Sequence, residues 1–305
     1  MRIVIGYDGS DSARHAVDDL AYAGLPAGSV AKVITVADVW LPPEPEKNEI
    51  PLPDPVSKGR ALAKQALAEA AALAEDGARL VRAKFPSWEV QWEARADSPG
   101  WGLIKAAEEW NADLLVVGSH GKGAASRLFL GSVSLKVATE AHCSVRIGRP
   151  RPQPVANELR LLLAYDGSPY AEAALAAIAQ RHWPLGTTVL VVAVIEPRTM
   201  SDLASEDSPL RQWLDPRDRD ARAPFERMMQ SVQQRLREAN ITASSHLIEG
   251  DPKRELIAEQ ERIGADCMFV GARGLNFLQR FLLGSVSAAM AIRARCSVEI
   301  TRPRN

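Results

Sequence analysis

The sequence has few cysteines, no excess of either charge and no long apolar run. Three cysteines in 305 residues are too few, and odd in number, for a disulfide framework, which favours a reducing compartment. A formal net charge of −1 provides no basic surface for nucleic acid or an anionic membrane. No apolar run approaches the roughly 18 residues of a membrane-spanning helix, and residues 1–10 do not resemble a signal peptide. We therefore expect a cytoplasmic protein without a membrane or nucleic-acid partner.

The cysteines also lack the spacing of a metal site. Cys143 and Cys296 lie at equivalent places, each in "CSV", and Cys267 stands alone. No second cysteine or histidine lies at ligand spacing, so we expect buried structural thiols; reactive or metal-binding thiols are the alternative. The sequence predicts no metal site formed by protein ligands alone.

What the chain does contain is an internal repeat. The stretch "IVIGYDGSDSARHAV" at 3–17 matches "LLLAYDGSPYAEAAL" at 161–175, and "ADLLVVGSHG" at 112–121 matches "ADCMFVGARG" at 265–274. The offset is 158 residues for the first pair and 153 for the second, so each half holds one copy with a variable segment inside it. We predict two domains, residues 1–150 and 158–305, joined by a short proline-rich linker.

Each copy alternates strands with helices. Strands are predicted at 2–7, 31–37, 89–95, 113–119 and 143–148, and helices at 12–23, 59–84, 99–110 and 132–141. The variable segments 41–58, with six prolines, and 197–222 are predicted to be loops. This alternation over about 150 residues predicts an α/β fold in which a doubly wound, parallel five-stranded sheet occurs twice in tandem.

Two glycine stretches follow the fourth strand of each copy. "GSHGKGAASRLFLGSVS" at 118–134 and "GARGLNFLQRFLLGSVS" at 271–287 share Gly-x2-Gly-x9-Gly-Ser-Val-Ser. Glycine lets main chain approach a ligand, and turn and helix-start amides bind anions, so we predict a phosphate cradle in each half. Its residues are Gly118, Gly121, Gly131, Ser132 and Ser134 in the first half and Gly271, Gly274, Gly284, Ser285 and Ser287 in the second, with Lys122, Arg127, Arg273 and Arg280 adding positive charge.

A structural interpretation of the same glycines stays open. Glycine at a strand end and Gly-Ser before a helix are also ordinary turn and cap signals, and duplication copies structural glycines too. Neither stretch is a Walker P-loop, and neither has the position of a Rossmann fingerprint.

The motif "YDGS" places Asp8 and Asp166 at the end of the first strand of each copy. Ligands of doubly wound sheets bind beyond the carboxyl ends of the strands, so these carboxylates should lie beside the glycine stretches. Each is either a helix N-cap or Asx turn, or a carboxylate that faces a nucleotide directly or through Mg²⁺. His120 is replaced by Arg273 in the second copy, so a role common to both sites does not need imidazole, and we expect His120 to be a solvated loop residue.

These motifs resemble those of the universal stress protein family, over nearly the whole chain and as two tandem domains. The resemblance implies a Rossmann-like, HUP-type fold that binds ATP, with or without Mg²⁺. The cradle glycines and serines would hold phosphates and ribose, Asp8 and Asp166 would lie near the adenine–ribose end or a metal, and the main chain of Val36 and Val194 would contact the adenine edge. It also implies that the last strands, "CSVRIGRP" and "CSVEITRP", pair antiparallel across a pseudo-twofold axis, forming an intramolecular pseudo-dimer that could assemble further as a homodimer.

The first copy departs from the family's Gly-x-Pro turn before the third helix. The second copy keeps it as Gly250-Asp251-Pro252, whereas the first has Asp97-Ser98-Pro99. A carboxylate that pointed into the first site would repel a triphosphate.

The leading functional hypothesis is a cytoplasmic ATP-binding protein of stress response or signalling, with two nucleotide sites and an unidentified protein partner. It is a binding module because no catalytic residues, such as a positioned base or a nucleophile elbow, accompany the cradles. The alternatives are slow ATP hydrolysis or autophosphorylation on a loop serine, an adenylating enzyme of the ATP pyrophosphatase type, and a structural dimerising domain without nucleotide.

Overall fold

The computed structural model describes residues 1–41, 54–121, 130–151, 158–196, 211–213, 222–274 and 283–303. The first half contains β1 (Arg2–Gly6), α1 (Asp11–Asp19), β2 (Val30–Ala37), α2 (Asp54–Lys84), β3 (Glu89–Ala96), α3 (Pro99–Glu109), β4 (Leu114–Gly118), α4 (Ser132–Glu140) and β5 (Ser144–Gly148). The second half contains β6 (Arg160–Ala164), α5 (Pro169–Ala179), β7 (Thr188–Ile195), α6 (Ala223–Glu238), β8 (Thr242–Glu249), α7 (Pro252–Ile263), β9 (Cys267–Gly271), α8 (Ser285–Arg293) and β10 (Ser297–Thr301). Short 3₁₀ turns lie at Leu20–Tyr22 and Arg211–Trp213.

The strands form a single sheet of ten, in the order β3-β2-β1-β4-β5-β10-β9-β6-β7-β8. All neighbouring strands are parallel except β5 and β10, which pair antiparallel in the middle. Each half is thus a doubly wound five-stranded unit whose winding reverses between its first and fourth strands. The predicted fold class is confirmed, and the two units join edge to edge through their last strands.

Helices cover both faces of the sheet because the strands are apolar on both sides. β4 and β9 are buried along their whole length, as expected for central parallel strands. One core lies under α3, α4, α7 and α8 and crosses the junction between the halves. On the opposite face, α1 and α2 cover a core in the first half and α5 and α6 cover another in the second.

Two boundary predictions were wrong. Helix α2 begins at Asp54, so the last residues of the predicted loop 41–58 are helical. Proline is tolerated in a first helical turn, where its missing amide has no intrahelical acceptor, so Pro55 does not exclude a helix there. Helix α1 ends at Asp19, before the predicted 23, and continues as a 3₁₀ turn. Of the predicted loop 197–222, the structure describes only residues 211–213 and 222.

Within the described residues, no helix is both long enough and apolar enough to cross a membrane.

Candidate functional site

The predicted carboxylate and the predicted glycine turn meet at the reversal point of each half. In the first half, a Cβ atom added to Gly121 would lie 3.2 Å from Oδ2 of Asp8. In the second half, a Cβ atom on Gly274 would lie 2.8 Å from Oδ2 of Asp166. The expectation that these strand ends are neighbours is therefore confirmed in both copies.

Each aspartate uses one oxygen in a local turn and turns the other toward the glycine. The amide of Ser10 donates to Oδ1 of Asp8 over 3.0 Å, and the Ser10 hydroxyl caps α1 by accepting from the amide of Ala13. Asp166 accepts from the amide of Ser168 in the same way. The Asx turn is confirmed and the serine is the N-cap, so an Asp8 N-cap is wrong. This turn leaves Oδ2 directed at the site.

Gly118 and Gly271 have a packing role that the phosphate prediction overlooked. A Cβ atom on Gly118 would lie 2.7 Å from the carbonyl carbon of Ser12, on α1. One on Gly271 would lie 2.7 Å from Cβ of Tyr170, on α5. These glycines let the first helix of each half approach the central strand closely, which accounts for them without a ligand.

Gly131 and Gly284 form the N-caps of α4 and α8, but their own amides are already used. The amide of Gly131 donates to the carbonyl of Ser119 over 2.8 Å, and that of Gly284 donates to the carbonyl of Ala272 over 2.8 Å. Neither glycine has a side chain to cap the turn that follows it. The amides of the first turns, at residues 132–134 and 285–287, are therefore the donors that could meet an anion.

Of the four predicted serines, one in each half is buried and the other is exposed. Ser134 and Ser287 are buried, and their hydroxyls donate inward, from Ser134 to the carbonyl of Gly118 at 2.6 Å and from Ser287 to the carbonyl of Ala272 at 2.9 Å. Ser132 and Ser285 are exposed. A phosphate or ribose contact by the Ser134 or Ser287 hydroxyl is therefore disfavoured, because its proton already has an acceptor.

Val36 presents its main chain to the crevice. The carbonyl of Ile34 accepts from the amide of Tyr7 over 2.9 Å, just beyond the last residue of β1. Residues two apart along a strand direct their main-chain groups to the same side. The amide and carbonyl of Val36 therefore face the space beyond the end of β1, above Asp8.

Val194 has the same geometry in the second half. The carbonyl of Val192 accepts from the amide of Tyr165 over 2.9 Å, whereas Ile195 accepts from Gly250 on the other side. The main chain of Val194 thus faces the end of β6. In both halves, one main-chain amide and one carbonyl thus face the end of the first strand, the strand that the aspartate follows.

Asp97 does not leave an uncompensated charge in the first site. Its Oδ2 accepts from Nζ of Lys105 over 2.7 Å, and its Oδ1 accepts from the amide of Ser98. The hydrogen bond from Lys105 is the largest effect on the pKa of Asp97 and lowers it. In the second half, Gly250 takes a φ of +155°, and Asp251 caps α7. The predicted repulsion is therefore offset by Lys105, which the sequence reasoning missed.

His120 belongs to a polar cluster with Ser12 and Ser119, which the sequence reasoning also missed. Its Nδ1 lies 2.8 Å from the Ser119 hydroxyl, and its amide donates to the Ser12 hydroxyl over 3.0 Å. The residue is half-buried, so the expected solvated histidine is wrong. In the second half the equivalent residues are Tyr170, Ala272 and Arg273, and the Arg273 guanidinium stacks on the Tyr170 ring at 5.6 Å. The two sites therefore differ in charge beside a common framework.

The thiols are suited to packing and not to reaction. Burial raises the pKa of Cys143 to about 11 and that of Cys267 to about 12, and it also raises the pKa of Cys296. Cys267 and Cys296 are buried and Cys143 is half-buried. Among the described residues, no three His, Cys, Asp or Glu side chains are grouped to hold a metal ion. Lys122, Arg127 and Arg280 lie outside the described residues.

The fold and the paired crevices define a tandem, doubly wound α/β protein with one polar site at each reversal point. The model of the universal stress protein family matches residues 1–149 and 159–302, and the chain belongs to that family.

Two full-length relatives share the tandem arrangement. The chain is 27% identical to universal stress protein Rv2005c of Mycobacterium tuberculosis over 311 residues, which cover 98% of this chain and 96% of the relative. The crystal structure of a universal stress protein from Archaeoglobus fulgidus matches 99% of this chain and 98% of its own, with a TM-score of 0.66 and 21% identity, and this likeness shows the fold. A universal stress protein solved in complex with cAMP covers 47% of this chain and 96% of its own, at 21% identity and a TM-score of 0.33.

Proposed function

We propose that this chain is a cytoplasmic ATP-binding module with one nucleotide site in each half, acting in stress response or signalling. The observation that carries the proposal is an arrangement that occurs in both halves. In each half, an aspartate oxygen meets a side-chain-free turn, and the main chain of the second strand continues past the end of the first strand at the same edge of the sheet. An adenine ring needs a main-chain donor and acceptor, and a polyphosphate needs amides at a turn and a helix start; each crevice offers both.

In the proposed first site, each part of the ligand would contact a different element. The main chain of Val36 faces the adenine edge, and Asp8 lies toward the ribose or a phosphate-bound Mg²⁺, whose preferred ligands are oxygens. The turn at Gly121 and the first-turn amides of α4 lie toward the phosphates. Val194, Asp166, Gly274 and α8 take the same parts in the second site. Ser132 and Ser285 are exposed at the start of those helices, so their hydroxyls are available to the ligand.

A nucleotide bound at this position would change the surface that a protein partner contacts. A nucleotide that spans β2, β1 and the start of α4 would contact three separate elements at once. A partner that recognises this rim would distinguish a loaded half from an empty one. The rims of the two halves differ in charge at His120 and Arg273, so each could be recognised separately.

Titration calorimetry with ATP and magnesium tests the two sites one at a time. Wild-type protein should bind two ATP per chain. Gly121→Ala fills the space beside Asp8 in the first site, and Gly274→Ala does so in the second. Each variant should lose affinity at one site by about fivefold or more, since overpacking costs about 1–3 kcal/mol. Gly28→Ala is the control, because nothing lies within 4 Å of its added Cβ.

Two results would count against the proposal. One is a wild-type protein that binds no ATP at millimolar concentration with magnesium. The other is an unchanged affinity at both sites in the Gly121→Ala, Gly274→Ala double variant. Phosphate release measured on the same samples separates a binding module from a slow ATPase, and cAMP in place of ATP tests whether a triphosphate is required.

A further inference from the structure

The contact between β5 and β10 has one position that lies on its pseudo-twofold axis. Arg146 pairs directly with Glu299, flanked by Ile147 with Val298 and by Val145 with Ile300. Arg146 and Glu299 are also each other's equivalents, because the repeats are offset by 153 residues here. On-axis residues are the ones that meet their own equivalents across a twofold interface. If two copies of one half paired through this strand, this position would bring two identical side chains together.

The on-axis pair is the middle of a buried chain of four charges. Nε of Arg146 donates to Oδ2 of Asp19 over 2.6 Å, and Nη1 donates to Oε2 of Glu299 over 3.0 Å. Nη1 of Arg181 donates to the same Glu299 oxygen over 2.8 Å, and Nη2 donates to the other. The side chains of Arg146 and Glu299 are fully buried, and Asp19 and Arg181 are at most 7% exposed. The charges therefore alternate in sign across the junction, away from water.

This network is not itself repeated. The position equivalent to Asp19 is Ala177, and the position equivalent to Arg181 is Ala23. The first half thus presents a cation held by its own aspartate, and the second presents an anion held by its own arginine. The two halves are therefore complementary in charge at the one position where a symmetric contact would bring identical side chains together.

Pairing of like halves would lose the central bond and gain a repulsion. Two first halves would place one Arg146 guanidinium beside another, each without its Glu299 acceptor. Nη2 of Arg146 is already buried without a hydrogen-bond partner in the described part of the chain, so a second unsatisfied group would be added. Two second halves would place two Glu299 carboxylates together. Like charges brought together in an interface oppose association strongly.

We propose that β5 and β10 form a heterospecific interface, in which each half accepts the other half and rejects a copy of itself. The chain therefore closes on itself through this contact. A second chain, or a single-domain relative, could displace either half only if it carried the opposite charge at the on-axis position. A larger assembly that used this contact would have to pair the first half of one chain with the second half of another.

A full chain cut between its halves after folding tests the proposal. A protease site is placed in residues 152–157, the folded protein is cleaved, and the halves are examined by native mass spectrometry after exchange with an isotope-labelled copy. The wild type should show first-half–second-half pairs in excess of like pairs by about a hundredfold or more, because like-charge contacts cost several kcal/mol. Exchange with the labelled copy should still yield only unlike pairs.

Two variants test whether the on-axis charges cause the preference for unlike pairs. Arg146→Met with Glu299→Met removes the on-axis charges, and like pairs should then rise at least tenfold relative to unlike pairs. Arg151→Met is the matched control, since it removes an off-axis ion pair with Asp266 across the same junction, at 2.8 Å. This control should weaken association without increasing like pairs. Comparable amounts of like and unlike wild-type pairs, dissociation into separate halves at micromolar concentration, or an unchanged ratio in the double-methionine variant would each overturn the proposal.

Discussion

Replacing Glu299 by Gln removes one charge from the middle of the buried network while keeping the shape of the side chain. Burial alone would raise the pKa of Glu299, but the charges of Arg181 and Arg146 and the hydrogen bonds that both donate lower it, so the group is ionised at neutral pH. The variant leaves Asp19 as the one carboxylate of the network, in contact with Arg146, and removes the carboxylate that Arg181 contacts. Removing one member of a buried ion pair costs about 3–5 kcal/mol. The amide oxygen of Gln still accepts a hydrogen bond, so we expect the lower end, about 3 kcal/mol.

Urea unfolding at pH 7, followed by far-ultraviolet circular dichroism, measures this loss as a shift of the transition midpoint. The matched control is Glu249→Gln, which breaks an ion pair of 2.7 Å with Arg222 whose side chains are 61% and 39% exposed. Exposed pairs contribute about 0–1 kcal/mol, so the control should stay near the wild type. If Glu299→Gln unfolded at the same urea concentration as Glu249→Gln, the network would not be stabilising and the reasoning would be refuted.

Three further predictions follow from burial and close packing. Because the pKa of Glu299 is lower in the folded protein than in the unfolded chain, its contribution is complete above the unfolded value and is lost as the pH falls below about 4.5. The fall of Tm with acid should be flatter in Glu299→Gln, and parallel curves would contradict this. Gly148→Ala should destabilise by about 1–3 kcal/mol, since its Cβ would lie 2.5 Å from a main-chain carbon of α1, whereas Gly28→Ala should change stability by less than about 0.5 kcal/mol in the same urea assay. Cys267 and Cys296 should resist a thiol reagent at pH 8 until urea unfolds the protein, because both are buried with raised pKa values; equal labelling rates in native and unfolded protein would contradict this.

The alternation of apolar runs and helical periods was enough to predict the sheet of each half. β4 and β9 are continuous apolar runs, and such runs are typical of central parallel strands. The sequence prediction missed the start of α2 because it assigned the whole segment with six prolines to a loop. A proline opposes a helix only beyond the first turn. The pairing of β5 with β10 came from the family resemblance. The complementary charges of Arg146 and Glu299 could be recognised only once the structure paired them, because strand pairing depends on contacts distant in sequence.

The sequence predicted the position of the candidate site more fully than the individual contacts within it. Topology alone brings Asp8 to Gly121, because parallel strands end at one edge of the sheet. Whether the Ser134 hydroxyl points to a ligand or to the carbonyl of Gly118 depends on packing that no local pattern encodes. The ion pair of Asp97 with Lys105 joins a turn to a helix eight residues later, and nothing in the turn sequence indicates which helix position carries the cation.

The repeated glycine motif therefore combines two kinds of constraint that one sequence pattern cannot separate. Gly118 and Gly271 are explained by the close approach of a helix, whereas a Cβ atom on Gly131 would make only ordinary contacts, at 3.4 Å or more. A relative that had lost its ligand would still need Gly118 and Gly271 for this helix packing. The second glycine of each motif has a different neighbour, the carboxylate oxygen of the aspartate that ends the first strand. That position, and not the motif as a whole, is where a substitution should weaken binding while the fold survives.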